Sequence, residues 1–383
     1  MTAGRRRWLN AAIVIGVVAI AVAAVVNFVR SDGTAAPVAE APEAETETQP
    51  ADTGGALPGQ LPEIITLPSD LRQEGGLLWW AGGDCQASVL DLSSGLVVAA
   101  PAGTCDIWPS PDGARAIASA APDGAGGQSA VTPFTYPPPE GATVLAGGEV
   151  VENALPLLTP SAWHPGSDRV AVCTPSAVGI FVDVLDLEDG TRDSVANIGG
   201  GGISGFCQAS FLADGRLAVV RDGVRIELDG REIFGVRDAT RLLPDASPGI
   251  TALGAGGDLL AVGLRSDRPA AAAIAAITPD GTVEFSAHLR PDSYPTVVGI
   301  EPDGRSLWYL NATSGNAAIL EIPGGRRSEI YRAGWLAWSP DRAYLATVVR
   351  EGIEIISLRT GRLLTTLDVP ANVVSWTKRP AGG

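Results

Sequence analysis

Two kinds of hydrophobic pattern divide the chain. Residues Trp8 to Val29 are uncharged and mostly apolar without a break, and Arg5, Arg6 and Arg7 stand immediately before them. As a helix these 22 residues would be about 33 Å long, enough to cross the roughly 30 Å hydrocarbon core of a bilayer. The arginines before the run, and Asp32, Glu40, Glu43, Glu45 and Glu47 after it, place residues 1–7 in the cytoplasm and the remainder outside. Arg5-Arg6-Arg7-Trp8-Leu9 also reads as a loose twin-arginine export signal with Ala21-Val22-Ala23 as a cleavage site. The run continues past that site and exceeds the about 7 to 15 residues usual in a cleaved signal, which favours a retained transmembrane anchor over 8–29. Residues 30–71, rich in Ala, Pro and Glu, have too little apolar surface to offset their ordering entropy and are expected to be a disordered acidic linker.

From residue 72 onward the pattern becomes short alternating runs broken by turn residues. Its clearest stretch is Trp335-Leu-Ala-Trp338-Ser-Pro340-Asp341, followed by Tyr344 to Val349, Gly352 to Leu358, Thr360-Gly361 and Leu363 to Leu367. Alternation of period two with tight turns between runs predicts four successive antiparallel strands. The unit recurs at Trp108-Pro-Ser-Pro111-Asp112-Gly113, Trp163-His-Pro165-Gly166 and Ile300-Glu-Pro302-Asp303-Gly304. Phe211-Leu-Ala213-Asp214-Gly215 and Leu253-Gly-Ala255-Gly-Gly257 are weaker copies. Marked by the turn proline, or the alanine in its place, the copies stand at 111, 165, 213, 255, 302 and 340, spacings of 54, 48, 42, 47 and 38 residues. Such spacings fit a four-stranded propeller blade. Residues 77–101 supply three strands that lack a tryptophan-bearing first one, and Asn372-Val-Val-Ser-Trp376-Thr-Lys378 supplies it. The expected fold is therefore all-β: a β-propeller of four-stranded antiparallel blades over 72–379, closed by its last strand, preceded by the transmembrane helix. The count gives seven blades and also allows six or eight.

At Trp108 to Gly113 and Trp335 to Asp341 the chain resembles the WD-repeat-like propellers of the TolB type, bacterial proteins whose blades carry Trp-Ser-Pro-Asp-Gly ahead of an apolar strand. The resemblance spans roughly 72–379 and weakens in the fourth and fifth blades. It implies the fold and no substrate, because such propellers include envelope binding proteins, accessory domains and enzymes. Trp108, Trp163, Trp338 and Trp376 recur at one blade position and read as packing between blades rather than as a ligand cage. Pro111, Asp112, Pro165, Asp214, Pro302, Asp303, Pro340 and Asp341 read as turn residues of the same motif. A strand turns the adjacent Trp79 and Trp80 to opposite faces and is expected to leave one exposed.

Composition narrows the function. The 383 residues carry a net charge of −16 with a single lysine, Lys378, whereas a nucleic-acid binder needs a basic face that releases counterions. All four cysteines lie beyond the apolar run and allow three pairings. In the repeat alignment Cys105 and Cys207 each begin an innermost strand, while Cys85 and Cys173 follow the second strand of the preceding blade, so Cys85–Cys105 and Cys173–Cys207 are the expected staples between neighbouring blades. Oxidation suits an exported domain. Zinc is disfavoured by the absence of Cys-x-x-Cys and of histidines at ligand spacing, and Asp183, Asp186, Glu188, Asp189 and Asp193 lack the spacing of a calcium loop.

No Gly-x-Ser-x-Gly elbow, His-Glu-x-x-His pair or phosphate loop occurs. His164 replaces the serine of the turn motif and His288 falls in an outer strand, so no catalytic residue and no cofactor or metal site is expected. The Pro- and Gly-rich stretches Pro122 to Gly127 and Pro133 to Gly141 swell the second blade and read either as a partner-binding lip or as solvated loop. The expected protein is a single-pass, extracytoplasmic propeller of the cell envelope that binds or scaffolds a protein, peptide or glycan. The alternative is an enzyme, a hydrolase or lyase, using carboxylates in the central funnel.

Overall fold

The computed structural model describes residues 64–380, apart from 83–84, 121–129, 139–141, 143, 158–161, 199–206, 302–303, 323–326 and 331–334. The apolar run 8–29, most of the expected linker, Pro122 to Gly127, Pro302 and Asp303 lie outside the described residues. Among the described residues no helix is long and apolar enough to cross a membrane.

Seven antiparallel sheets make the ring. From the axis outward, blade one orders Val373–Thr377, Leu77–Ala81, Ala87–Asp91 and Val97–Ala99. Blade two orders Thr104–Pro109, Arg115–Ala120, Ala130–Thr135 and Ala146–Gly147, with Val151–Glu152 also paired to its third strand. Blade three has Leu155–Pro156, Arg169–Ser176, Gly179–Asp186 and Arg192–Asn197, and Trp163 adds an isolated bridge to Val170. Blades four to seven run in simple sequence order from Ala209–Phe211, Gly249–Gly256, Pro295–Ile300 and Leu336–Trp338, each followed by its three strands.

The chain end closes the ring in register. Val373–Thr377 pairs antiparallel with Leu77–Ala81, Trp376 opposite Leu78 and Ser375 opposite Trp79. Trp79 Nε1–H donates to Thr377 Oγ1 at 3.0 Å across 298 positions of sequence. The pairing removes the open edge that an unclosed first blade would present.

A blade is covered on both faces, and this overrides the simple alternation of a half-exposed sheet. All five residues of Leu77–Ala81 are buried, whereas the outermost Arg192–Asn197 is exposed almost throughout. Trp79 and Trp80 are consequently both buried, which corrects the expectation that one faces outward: Trp79 packs towards blade two and Trp80 towards blade seven. Seven separate apolar cores result, one at each blade interface.

Blade five departs from the repeat for a steric reason. A Cβ on Gly254 or Gly256 would stand 2.1 Å from Val298 O or 1.9 Å from Ile300 O, so the first strands of blades five and six lie backbone against backbone and only glycine fits. Ala255 pairs with Leu260 inside the strand, and the turn is the two-residue Gly257-Asp258. The alignment that put Ala255 at the turn is corrected accordingly.

Packing also begins upstream of residue 72. Ile65 N–H donates to Gly95 O at 2.8 Å, and Leu67 and Leu71, the latter on the helix Ser69–Glu74, are buried in the core between blades seven and one. Three apolar side chains spaced along this otherwise polar stretch are enough to hold it down.

Candidate functional site

In blades two, four and seven the repeat motif builds the turn that joins the first and second strands. In blade two, Ser110 Oγ donates to Asp112 Oδ1 at 2.6 Å and accepts from Arg115 N–H at 3.0 Å. Asp112 Oδ1 also accepts from Ala114 N–H at 3.0 Å. Blade seven repeats this with Ser339 and Asp341 at 2.8 Å, and in blade four Asp214 Oδ1 accepts from Arg216 N–H at 3.0 Å. The short side chains replace backbone partners that a tight turn cannot supply. In blade three His164 takes the serine's place. Its Nδ1–H donates to Asp168 Oδ1 and its Nε2 accepts from Arg169 Nη2, each at 2.7 Å, while the ring meets Phe211 of blade four edge-on at 5.5 Å. That histidine joins two blades and has no open ring nitrogen.

These turns share one face of the ring, and at its centre is a mouth of about 480 Å³. Trp108, Trp163, Trp338 and Trp376 line it together with Pro111 and Pro165. Trp108, Trp163 and Trp376 are more than nine-tenths buried between blades. Trp163 Nε1–H donates to Trp108 O at 3.1 Å, and Trp376 stacks on Tyr344 at 6.3 Å. Trp376 Nε1 is buried without a hydrogen-bond partner. None of the lining residues carries a formal charge.

Phe211 and Trp335, which open their copies of the repeat, also line the mouth, and one further member, Trp308, lay outside the repeat alignment. Trp308 comes from the second strand of blade six and stands opposite Gly299. A Cβ on Gly299 would be 2.4 Å from Trp308 Nε1, so the indole lies over the glycine, and it meets Trp338 at 5.6 Å. The signal was legible as a glycine across from a tryptophan in the one clear copy whose first strand lacks tryptophan.

One titratable pair borders blades seven and one on this face. Burial, reinforced by the hydrogen bond to Asp341 and the charge of that carboxylate, pushes the Glu74 carboxyl up from 4.5 to about 7. Burial acts in the same upward sense on Asp341, but the hydrogen bond with Glu74 and those from Ala343 N–H and Ser339 outweigh it and hold Asp341 below the usual carboxylate range. Carboxyls driven apart in this way can divide the roles of acid and base. Glu74 ends the helix Ser69–Glu74, just past the stretch 30–71 read from sequence as linker, and nothing in its local pattern marks it.

The four cysteines form the two expected bridges, Cys85–Cys105 between blades one and two and Cys173–Cys207 between blades three and four. Among the described residues no group of His, Cys, Asp and Glu has the arrangement of a metal site. Asp183 of the acidic stretch is buried and bonded to Arg192 Nε at 2.6 Å.

No family model matches the chain, and no curated protein matches it. Among solved structures it is similar to the periplasmic gluconolactonase PpgL of Pseudomonas aeruginosa, at 15% identity over 80% of this chain and 99% of that one, TM-score 0.55. It is similar to a candidate 6-phosphogluconolactonase of Bacteroides uniformis ATCC 8492, at 15% identity over 80% of this chain and 100% of that one, TM-score 0.50. TolB of Acinetobacter baumannii shares 12% identity over 81% of this chain and 68% of that one, TM-score 0.47. At these identities the likeness is one of fold: a seven-bladed propeller.

Proposed function

We propose that the chain is an extracytoplasmic binding propeller, held at the membrane by residues 8–29, whose mouth takes an apolar, proline- or aromatic-bearing segment of a partner protein. The uncharged, tryptophan- and proline-lined opening carries this reading. Such a surface desolvates cheaply and stacks on flat or ring-shaped groups, whereas a glycan needs convergent hydrogen-bonding side chains and hydrolysis needs a charged base. The paired cysteines support an oxidising compartment. The first described residue, Ile64, bridges to Leu96 at the outer turn of blade one, on the face that carries the mouth.

The test is capture of partners from solubilised envelope by residues 59–383 made under oxidising conditions, with a Trp163→Ala/Trp338→Ala variant alongside. A partner retained by the native domain and lost by the folded variant supports the reading. Equal retention by both sinks it.

A second reading, a hydrolase, is favoured by the Glu74–Asp341 pair and by the two lactonase-named structures. Turnover of a lactone panel that disappears in Glu74→Gln would establish it in place of the first.

A further inference from the structure

On the face opposite the mouth, the turns between second and third strands of blades four and five border an open pocket of about 590 Å³, within the size range of small-molecule sites. At its wall Arg265 is held from three directions. Its Nε–H donates to Asp267 Oδ1 at 2.9 Å, its Nη1–H donates to Ser293 O at 3.0 Å, and its guanidinium carbon lies 4.6 Å from the centre of the Tyr294 ring. A guanidinium fixed in this way has already lost its rotamer freedom, so a ligand that joins it does not bear that cost again. Two of its N–H groups are used by these bonds, out of the five a guanidinium carries.

On a chain of net charge −16 the charges lining the pocket balance, Arg265 and Arg268 against Asp222 and Asp267. Asp222 and Asp267 each already hold a guanidinium, Arg225 and Arg265, which leaves Arg268 in the lining as a cation with no ion pair among the described residues. The Asp267 side chain is 70% exposed, where water and salt weaken its repulsion of an incoming anion. Val224, Pro248 and Ile250 give the same pocket an apolar wall.

We propose that this pocket binds a small organic carboxylate, its charge on Arg265 with Arg268 beside it and its apolar body against Val224, Pro248 and Ile250. Arginine suits this ligand because its planar donors match a carboxylate in a bidentate pair. The site is independent of the mouth.

The experiment uses the full chain and titrates benzoate, uncharged benzamide and inorganic phosphate by saturation-transfer NMR. Benzoate is expected to bind saturably, more tightly than phosphate and with benzamide at least tenfold weaker, a difference of about 1.4 kcal/mol. Arg265→Gln should abolish benzoate binding. Because that change also strips the contacts to Tyr294 and Ser293, Arg268→Gln serves as the second variant, and it should weaken benzoate several-fold and flatten the salt dependence while the fold is kept. The proposal is overturned by the absence of saturable benzoate binding, by equal binding of benzoate and benzamide, by tighter binding of phosphate than of benzoate, or by benzoate affinity unchanged in both variants.

Discussion

Ring closure can be tested at Gly113, the glycine of the Ser-Pro-Asp-Gly turn in blade two. It sits at φ +74°, and a Cβ there would stand 2.2 Å from Lys378 O and 2.7 Å from Thr377 Oγ1, both on the closing segment. Alanine in left-handed backbone costs about 1 kcal/mol. Opening the clash requires the turn and the closing strand to part by roughly 1 Å, and overpacking of that kind costs about 2 kcal/mol. The sum, about 3 kcal/mol, corresponds to a fall in Tm of roughly 5 °C for a domain of this size. Gly103 is the control: its φ is +88° with nothing within 4 Å of a built Cβ, so Gly103→Ala should lose only the backbone share, about 1 kcal/mol. Thermal unfolding of the oxidised protein, followed by near-ultraviolet circular dichroism, compares the two. Equal losses in both variants, or a Gly113→Ala protein as stable as the parent, would refute the view that the closing strand is clamped against blade two.

Three further outcomes follow from the same geometry. Arg379→Ala removes the cation 3.4 Å from the buried Asp91 carboxylate and should cost about 1 to 3 kcal/mol in urea unfolding, more than Arg359→Ala at an exposed turn. Graded reduction followed by alkylation and mass spectrometry should open Cys85–Cys105, which is partly exposed, before Cys173–Cys207, which is buried, and serine replacement of either pair should cost about 3 kcal/mol. Glu74, raised from 4.5 to about 7, contributes stability that is complete below pH 4.5 and lost as pH rises through 7. Because water screens this partly exposed group the loss should be about 1 kcal/mol, and denaturant unfolding across that window should show it in the parent and not in Glu74→Gln.

The architecture was legible because its signals are local. A Trp-Ser-Pro-Asp-Gly turn before an apolar strand fixes a blade wherever it occurs, and the orphaned strand Asn372 to Lys378 could complete only the blade that lacked a first strand. The cysteine pairing followed from the same alignment. What escaped depends on neighbours in space. Trp79 and Trp80 look half-exposed in a single sheet and are buried because a propeller blade has no outer face. Gly254 and Gly256 look like a failing repeat and are instead the condition for two first strands to touch. Glu74 and Arg265 acquire their character from Asp341 and Tyr294, partners on other elements that no spacing rule connects. The mouth was half legible: four tryptophans were in the repeat, and Trp308 was hidden on a second strand.

The closing strand also sets an order of events. Leu77 to Ala81 must wait for Val373 to Thr377, so nearly the whole domain has to emerge before its first sheet acquires an inner edge. Such a high contact order makes the final docking slow relative to formation of local blades, and until then the Leu77–Ala81 edge is open to strangers. Cys85 and Cys105 are both present early in the emerging chain, so under oxidising conditions blades one and two can be covalently joined long before the ring is complete. The half-finished blade is then held in place to receive its missing strand.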